Sequence, residues 1–304
     1  MPELPEVETI RRQLAPPLEG ASLHALEILD PRWCRPLKPR TLISAITGRR
    51  LERLSRRGKY LVWELAELPP RPPRRVHRGE QFYLIMHLRM TGTLLLDPAV
   101  EPPHARVRMH LGTPEAEHRL VFVDPRRFGT GELARSTADL NAFMDARLGP
   151  EPLTPGFTPE LLRSQARGRR APIKAFLLDQ RRVAGVGNIY ADEALFRARV
   201  HPLRPAGRLT SRQYHDLHDA LIETLTAGVQ ARGATIDDFR HVDGVEGSFQ
   251  DQFLVHRRAG EPCPNCGSPV IKLIAAGRGT YVCESCQPRP RRRRGARPRP
   301  RARV

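Results

Sequence analysis

The chain has 304 residues, 39% of them hydrophobic, which is enough for two compact domains with packed cores plus a small appendage and excludes collagenous or wholly disordered organisation. No apolar run approaches the roughly 18 residues of a membrane span, and MPELPEVETI carries acidic residues where a signal peptide needs a basic and then an apolar stretch; a soluble intracellular protein is expected. The formal net charge is +18, and the nine arginines of the last 17 residues leave a body that is still at +9, so either a polyanionic partner, nucleic acid above all, or a generally Arg-rich proteome is implied.

Residues Pro5–Leu14 read as a helix. Val7, Ile10 and Leu14 form an apolar stripe, Glu6 and Glu8 stand in the first turn, and Pro16-Pro17 are expected to stop it. From about Ser22 to Leu133 short β-like runs alternate with turn signals: TLISAITG, YLVWEL, FYLIMHLRMTGTLLL, ARVRMHLG and RLVFVDP. They predict one mostly antiparallel sandwich, with the Pro/Arg-rich segment 69–79 as a solvated loop. After about Leu148 the pattern turns helical, over Pro159–Arg167, Ile173–Gln180, Ile189–Arg199 and Ser211–Arg232. A Gly-containing loop, GATIDDFRHVDGVEG, fills 233–247. PVIKLIAAGRGTYV then reads as a β-hairpin turned at Gly277-Arg278-Gly279, and the residues after Gln287 are too basic to form a core and are expected to be disordered. The fold class is α+β, divided as 1–147, 148–252, 253–287 and a basic tail 288–304.

Four of the five cysteines fall as Cys263-x2-Cys266 and Cys283-x2-Cys286, with sixteen residues between the pairs. Two such knuckles can wrap four thiolates onto one tetrahedral Zn2+; two disulfides are the alternative in an oxidising compartment. Cys34 stands alone and is expected to be a small buried hydrophobe.

The first residues carry a chemical possibility. Removal of Met1 would leave Pro2 with a free secondary amine, its pKa below the usual value near 8 for an α-amine because it stands beside a helix N-terminus. Such an amine attacking an aldehydic sugar carbon gives an iminium ion, an electron sink that labilises neighbouring protons, and Glu3 and Glu6 supply carboxyl groups for proton transfer. Pro2 and Pro5 starting a helix whose dipole the glutamates offset would give the same sequence. Gly185 and Gly187 allow close backbone approach to a phosphate, and Asn188 opens a helix whose N–H groups favour an anion; an ordinary turn and N-cap would read alike.

Taken together, MPELPEVETIRRQL, HLRMTG (87–92), DPRRFG (124–129), LGPEPL (148–153), IKAFLLDQRRVAGVGNIYADEALF (173–196), GEPCPNCG and TYVCESCQ resemble the formamidopyrimidine-DNA glycosylase family, in the family's order and across residues 2 to 287. The resemblance implies an N-terminal β-sandwich with an N-terminal helix, a C-terminal helix–two-turn–helix domain and a zinc-finger β-hairpin. A monomer acting on damaged double-stranded DNA in the bacterial cytoplasm is implied, excising oxidised purines such as 8-oxoguanine with β,δ-elimination at the abasic site. It assigns Pro2 as Schiff-base nucleophile, Glu3 as general acid, Lys59 to phosphate contact and proton donation in β-elimination, and Arg278 to phosphate binding and δ-elimination. Lys174 matches a lysine near the damaged base, Asn188 a phosphate ligand, and His104 and Arg170 further DNA contacts. Met90, Arg126 and Phe128 match the trio that fills the void left by an extruded nucleotide, whose extrusion costs a few kcal/mol; as bare residues they equally suit packing and a solvated turn. The loop 233–247 would be the lid over the base. Family members show VYGR before the first knuckle where this chain has Val255-His256-Arg257-Arg258, and the 69–79 loop and Arg-rich tail exceed the usual pattern. An endonuclease VIII-like enzyme for oxidised pyrimidines and a non-catalytic zinc-finger DNA-binding protein are the competing readings; a free amine at Pro2 would be superfluous in the second.

Overall fold

The computed structural model describes residues 1–67, 81–235, 242 and 246–290. The loop 69–79, most of the expected lid 233–247 and the tail beyond residue 290 lie outside them.

Helix α1 (Leu4–Leu18) opens the chain and runs four residues past the expected end, through Pro16 and Pro17. The two prolines remove N–H donors only in the last turn, while Leu14 and Leu18 are fully buried there and Glu19 still donates to the Ala15 carbonyl at 2.9 Å. Burial of the apolar stripe outweighs the missing bonds.

Eight strands form one antiparallel sheet: β1 (Ser22–Ile28), β2 (Arg50–Arg57), β3 (Tyr60–Ala66), β4 (Phe82–His87), β5 (Thr93–Leu96), β6 (Ala105–Gly112), β7 (Glu117–Val123) and β8 (Thr130–Ala134), in the order β5-β7-β6-β1-β2-β3-β4-β8. Between β1 and β2 only Ser22 and Arg50 are in register. That narrow join divides the sheet into two four-stranded halves, whose apolar faces meet in one core with Leu26, Trp63, Met86, Met109 and Phe122. The other face of the β3–β4 half is covered by α3 (Thr137–Asp145), started by Ser136, whose hydroxyl accepts from the Asp139 N–H at 3.0 Å.

TLISAITG is not a strand. It lies in and just after α2 (Pro39–Ile46). Leu42 and Ile46 are fully buried at i, i+4, and Pro39 presets the first turn, so tertiary burial overrides the β-preference of Thr and Ile.

The second core belongs to α4 (Pro159–Ala166), α5 (Ile173–Leu178), α6 (Asn188–Arg197) and α7 (Ser211–Gln230). Helix α1 spans both cores: Val7, Ile10, Leu14 and Leu18 pack with the sheet, whereas Leu4 packs with the helices. The hairpin β9 (Ile271–Ala275) and β10 (Arg278–Val282) completes the fold. Its turn is Ala276-Gly277, at φ 53° and 69°, one residue earlier than expected. Two left-handed residues suit the twist of a two-residue hairpin, and Arg278 becomes the first residue of a strand. Phe196 of α6 packs in one cluster with Val255, Val270, Cys263 and Cys283, docking the hairpin on the helices. No helix among the described residues is long and apolar enough to cross a membrane.

Candidate active site and nucleic-acid interface

The N-terminus of α1 is gripped by the loop before α6. Leu4 N–H donates to the Gly185 carbonyl at 3.0 Å, and Ile189 N–H, in the first turn of α6, donates to Glu3 Oε1 at 3.0 Å. One of the free N–H groups at the start of α6 is thus taken by the Glu3 carboxyl. Gly187 is what permits it: a Cβ there would lie 2.2 Å from Glu3 Cδ. Pro2 and Glu3 are both buried, and Glu3 Oε2 has no hydrogen-bond partner among the described residues.

Glu6 ties the same region to the lid anchor. It accepts from Glu3 N–H at 2.8 Å, Tyr190 Oη at 2.7 Å and Ala234 N–H at 2.8 Å. Burial first, and then the neighbouring Glu3 charge, push its carboxyl above the ordinary range. Lys59, in the two-residue turn between β2 and β3, is 4% exposed. Burial depresses its ammonium, Arg278 depresses it further, and Glu3 and Glu6 pull the other way. Four charged side chains from α1, the β2–β3 turn and the zinc hairpin thus act on one another, and a lysine with a lowered pKa is suited to hand over a proton.

Lys174 is fully buried. Its side chain has no exposure, and Nζ donates to Asp192 Oδ1 at 2.6 Å, Thr280 Oγ1 at 2.8 Å and the Gly279 carbonyl at 3.4 Å. It joins α5, α6 and β10, and the charges of Glu3 and Arg278 also act on it. Asn188 Nδ2 donates to the same Gly279 carbonyl at 3.1 Å, leaving Oδ1 without a partner among the described residues. Both residues brace the strand that begins with the exposed Arg278.

The expected void-filling residues stand on two loops joined by one carboxylate. Asp124 is fully buried and accepts from Thr91 Oγ1 at 2.5 Å and from the N–H groups of Arg126, Phe128 and Gly129 at 3.2, 2.7 and 2.8 Å. Thr91 follows the half-buried Met90. Phe128 is 49% exposed, with the Arg126 guanidinium 4.8 Å from its ring centroid. A large exposed aromatic under a cation suits stacking on a base better than packing in a core. His104 and Arg170 are exposed, and the His104 carbonyl accepts from Asp124 N–H at 3.1 Å.

The knuckle cysteines are free thiols, with Sγ atoms all within 4.8 Å of one another. The closest pairs, Cys266–Cys283 at 3.4 Å and Cys263–Cys286 at 3.8 Å, are too far apart for S–S bonds of about 2.05 Å. They suit the sulfur edges of about 3.8 Å that Zn–S bonds near 2.3 Å would give. Cys263, Cys266, Cys283 and Cys286 thus form the site of one structural zinc ion. Cys34 is buried, as expected, with Sγ 3.5 Å from the Leu37 carbonyl.

Among the residues that escaped the sequence reading are Asp124, Asp192 and Glu193. The last accepts from the N–H groups of Leu254, Val255 and His256 at 2.9, 3.0 and 2.8 Å. His256, which stands where the resembling family shows tyrosine, meets Asp192 Oδ2 through Nδ1 at 2.9 Å. An acidic pair facing inward on α6 is the signal that could have found Asp192 and Glu193.

Family models match along most of the chain: the formamidopyrimidine-DNA glycosylase N-terminal domain over residues 1–131, the formamidopyrimidine-DNA glycosylase H2TH domain over 148–240, and the zinc finger found in FPG and IleRS over 260–289. The chain belongs to the formamidopyrimidine-DNA glycosylase family. A formamidopyrimidine-DNA glycosylase of Symbiobacterium thermophilum is 43% identical over 292 residues, 95% of this chain and 90% of that one. Among solved structures, a Lactococcus lactis FPG variant in complex with Fapy-dG containing DNA has a TM-score of 0.84 at 36% identity, covering 95% of this chain and all of that one, 100%. The wild-type Lactococcus lactis protein with an oxidised pyrimidine containing DNA gives 0.83 at 36% identity, with the same 95% and 100% coverage. Formamidopyrimidine-DNA glycosylases are DNA repair enzymes, and this member has their sheet, helical and zinc-finger parts in order.

Proposed function

We propose that this family member excises oxidised purines from duplex DNA and then cleaves the strand through a Schiff base on Pro2. The observation that carries the reading is the seating of the buried Pro2 and Glu3 at the start of α1 against the loop before α6, with the buried Lys59 near enough to Glu3 and Arg278 for their charges to act on it. In this reading the loss of Met1 frees the Pro2 nitrogen, which attacks C1′ of an extruded nucleotide as the C1′–N9 bond breaks and the base leaves with a proton. Glu3, with one carboxylate oxygen held by α6 and the other unpaired among the described residues, takes the proton from the Pro2 nitrogen and passes it to O4′ as the C1′–O4′ bond opens and the C1′=N iminium forms. The resulting iminium acidifies C2′. Loss of that proton expels the 3′ phosphate, and a second elimination expels the 5′ phosphate, with Lys59 and Arg278 paired to the departing groups.

Residues 1–147 would carry the nucleophile, 148–252 the helical DNA-binding part and 253–287 the zinc finger, whose metal fixes the hairpin that presents Arg278. Met90, Arg126 and Phe128 would occupy the gap in the duplex, with Asn188, His104 and Arg170 on the flanking backbone. The protein would act as a monomer in the bacterial cytoplasm, on chromosomal DNA.

Borohydride trapping on a duplex with one 8-oxoguanine tests the reading. A covalent adduct that disappears in Pro2→Gly is expected; strand cleavage by Pro2→Gly at the normal rate would refute it. Because the Lactococcus lactis protein has been solved on oxidised pyrimidine DNA, a parallel duplex with an oxidised pyrimidine measures the breadth of the substrate range.

A further inference from the structure

We infer that Glu151 is a positioning residue for Lys59, holding it in register with Pro2 and Glu3; the inference rests on the lyase role proposed for Lys59. The Lys59 ammonium has no hydrogen bond to a described residue, so its location follows from the backbone of the Gly58-Lys59 turn. Glu151 holds that turn from both sides. Its Oε2 accepts from Gly58 N–H at 2.7 Å, and its Oε1 pairs at 2.5 Å with Arg56, whose Nη1 donates to the Gly58 carbonyl at 2.9 Å. Arg56 is held in turn by Glu8 of α1 at 3.1 Å, and the Arg56 and Glu151 side chains are only 9% and 12% exposed. Gly58 adopts φ 59°, and a Cβ there would come within 3.2 Å of Leu148, so the turn fits closely against the segment that carries Glu151.

That segment is also tied to the residues that grip the nucleophile. Ala184 N–H donates to the Pro150 carbonyl at 2.9 Å, and the next residue, Gly185, accepts from Leu4 N–H at 3.0 Å. One short path therefore runs from Lys59 through Gly58, Glu151 and Pro150 to Ala184, Gly185 and the start of α1. A buried, paired carboxylate with both oxygens engaged resists displacement, because either loss strands a buried donor. Glu151 thus fixes the distance between the group that forms the covalent bond and the group that assists its elimination.

The test uses a duplex with a preformed abasic site, comparing strand nicking with borohydride trapping in Glu151→Gln, Glu151→Ala, Lys59→Ala and Lys59→Ala/Glu151→Gln. Glutamine keeps an acceptor for Gly58 N–H and loses the charge facing Arg56. Nicking should slow about tenfold in Glu151→Gln and about a hundredfold in Glu151→Ala, the scale expected for an ångström of misplacement, while trapping of Pro2 holds. The double variant should nick no more slowly than Lys59→Ala alone, since the two residues act as one unit. Losses that multiply in the double variant, or a Glu151→Gln enzyme that nicks normally while Lys59→Ala does not, overturn the inference; this holds even where Glu151→Ala fails to fold. Normal nicking by Lys59→Ala would instead remove the role of Lys59 itself, and the inference with it.

Discussion

Lys174 and Asp192 form an ion pair of 2.6 Å with neither side chain exposed. Burial depresses the Lys174 ammonium, and the Asp192 charge works against that shift. Removing Lys174 leaves the buried Asp192 with His256 at 2.9 Å but without its ammonium partner, and breaking a buried pair in this way costs up to about 3–5 kcal/mol. Lys174→Ala should therefore lower the melting temperature sharply, and Lys174→Ala/Asp192→Asn should recover part of the loss. Calorimetry on both variants checks this; an unchanged melting temperature in Lys174→Ala would return the lysine to a role outside the core.

Gly187→Ala places a methyl group where Glu3 now lies, 2.2 Å from Cδ. The carboxylate must leave its seat on Ile189 N–H. Excision should fall by about a hundredfold or more while the helical core stays folded, because the contact is with Glu3 and not with a core side chain. Single-turnover excision together with circular dichroism reads the two effects apart.

Asp124→Ala leaves three buried or half-buried N–H groups and the Thr91 hydroxyl without their acceptor. At about 1–3 kcal/mol for each stranded buried group, the loop bearing Arg126 and Phe128 should lose its shape and release the turn bearing Met90. A fluorescent base analogue opposite or beside the lesion should then report slower extrusion, with zinc content unchanged. Normal extrusion would show that the two loops hold their geometry without this tie.

Two groups set the acid limit of the fold. Burial, with the charges of Arg89 and Lys59, holds His87 down at about 3 against an ordinary 6.5, so the folded chain keeps it neutral. Between those values the unfolded chain carries a proton that the folded chain lacks, and stability falls as pH falls through that window. Burial opposes ionisation of Glu8, but hydrogen bonds from Arg11 and Arg12 and the charge of Arg56 prevail and hold it at about 2. Its contribution is complete above the ordinary 4.5 and is lost as pH drops toward 2. Melting temperatures from neutral pH downward should begin to decline below about 6.5. His87→Asn keeps an acceptor for the Arg89 N–H, which now bonds Nδ1 at 2.9 Å, and should flatten the upper part of the decline.

Chelation of zinc should unfold the hairpin, whose own core is little more than Val255, Val270, Phe196 and two of the cysteines. Binding to DNA should weaken and the dependence of affinity on salt should flatten by about one phosphate contact as Arg278 loses its place. Restored zinc should restore both. Full affinity in the metal-free protein would separate Arg278 from the metal.

Local pattern was sufficient for some of this protein and not for the rest. The stripe of α1, helices α4 to α7, strands β3 to β7 and the two cysteine knuckles were legible, because each depends on neighbours within a few residues. The family was legible from motifs in order. What was not legible is non-local. TLISAITG became a helix because Leu42 and Ile46 find a core that periodicity alone does not reveal. GVGN and the residue after it seat the Glu3 carboxyl because α1 arrives from 186 residues away in sequence. Lys174 became a buried brace, and Glu151 a clamp on Gly58 across 93 residues, because their partners are contributed by other elements. Composition and spacing thus determined which groups the chain carries and which family it joins. Which group faces which was decided by packing two cores against one helix, since a hydrogen bond or an ion pair depends on distance in space, and only the folded chain sets that distance.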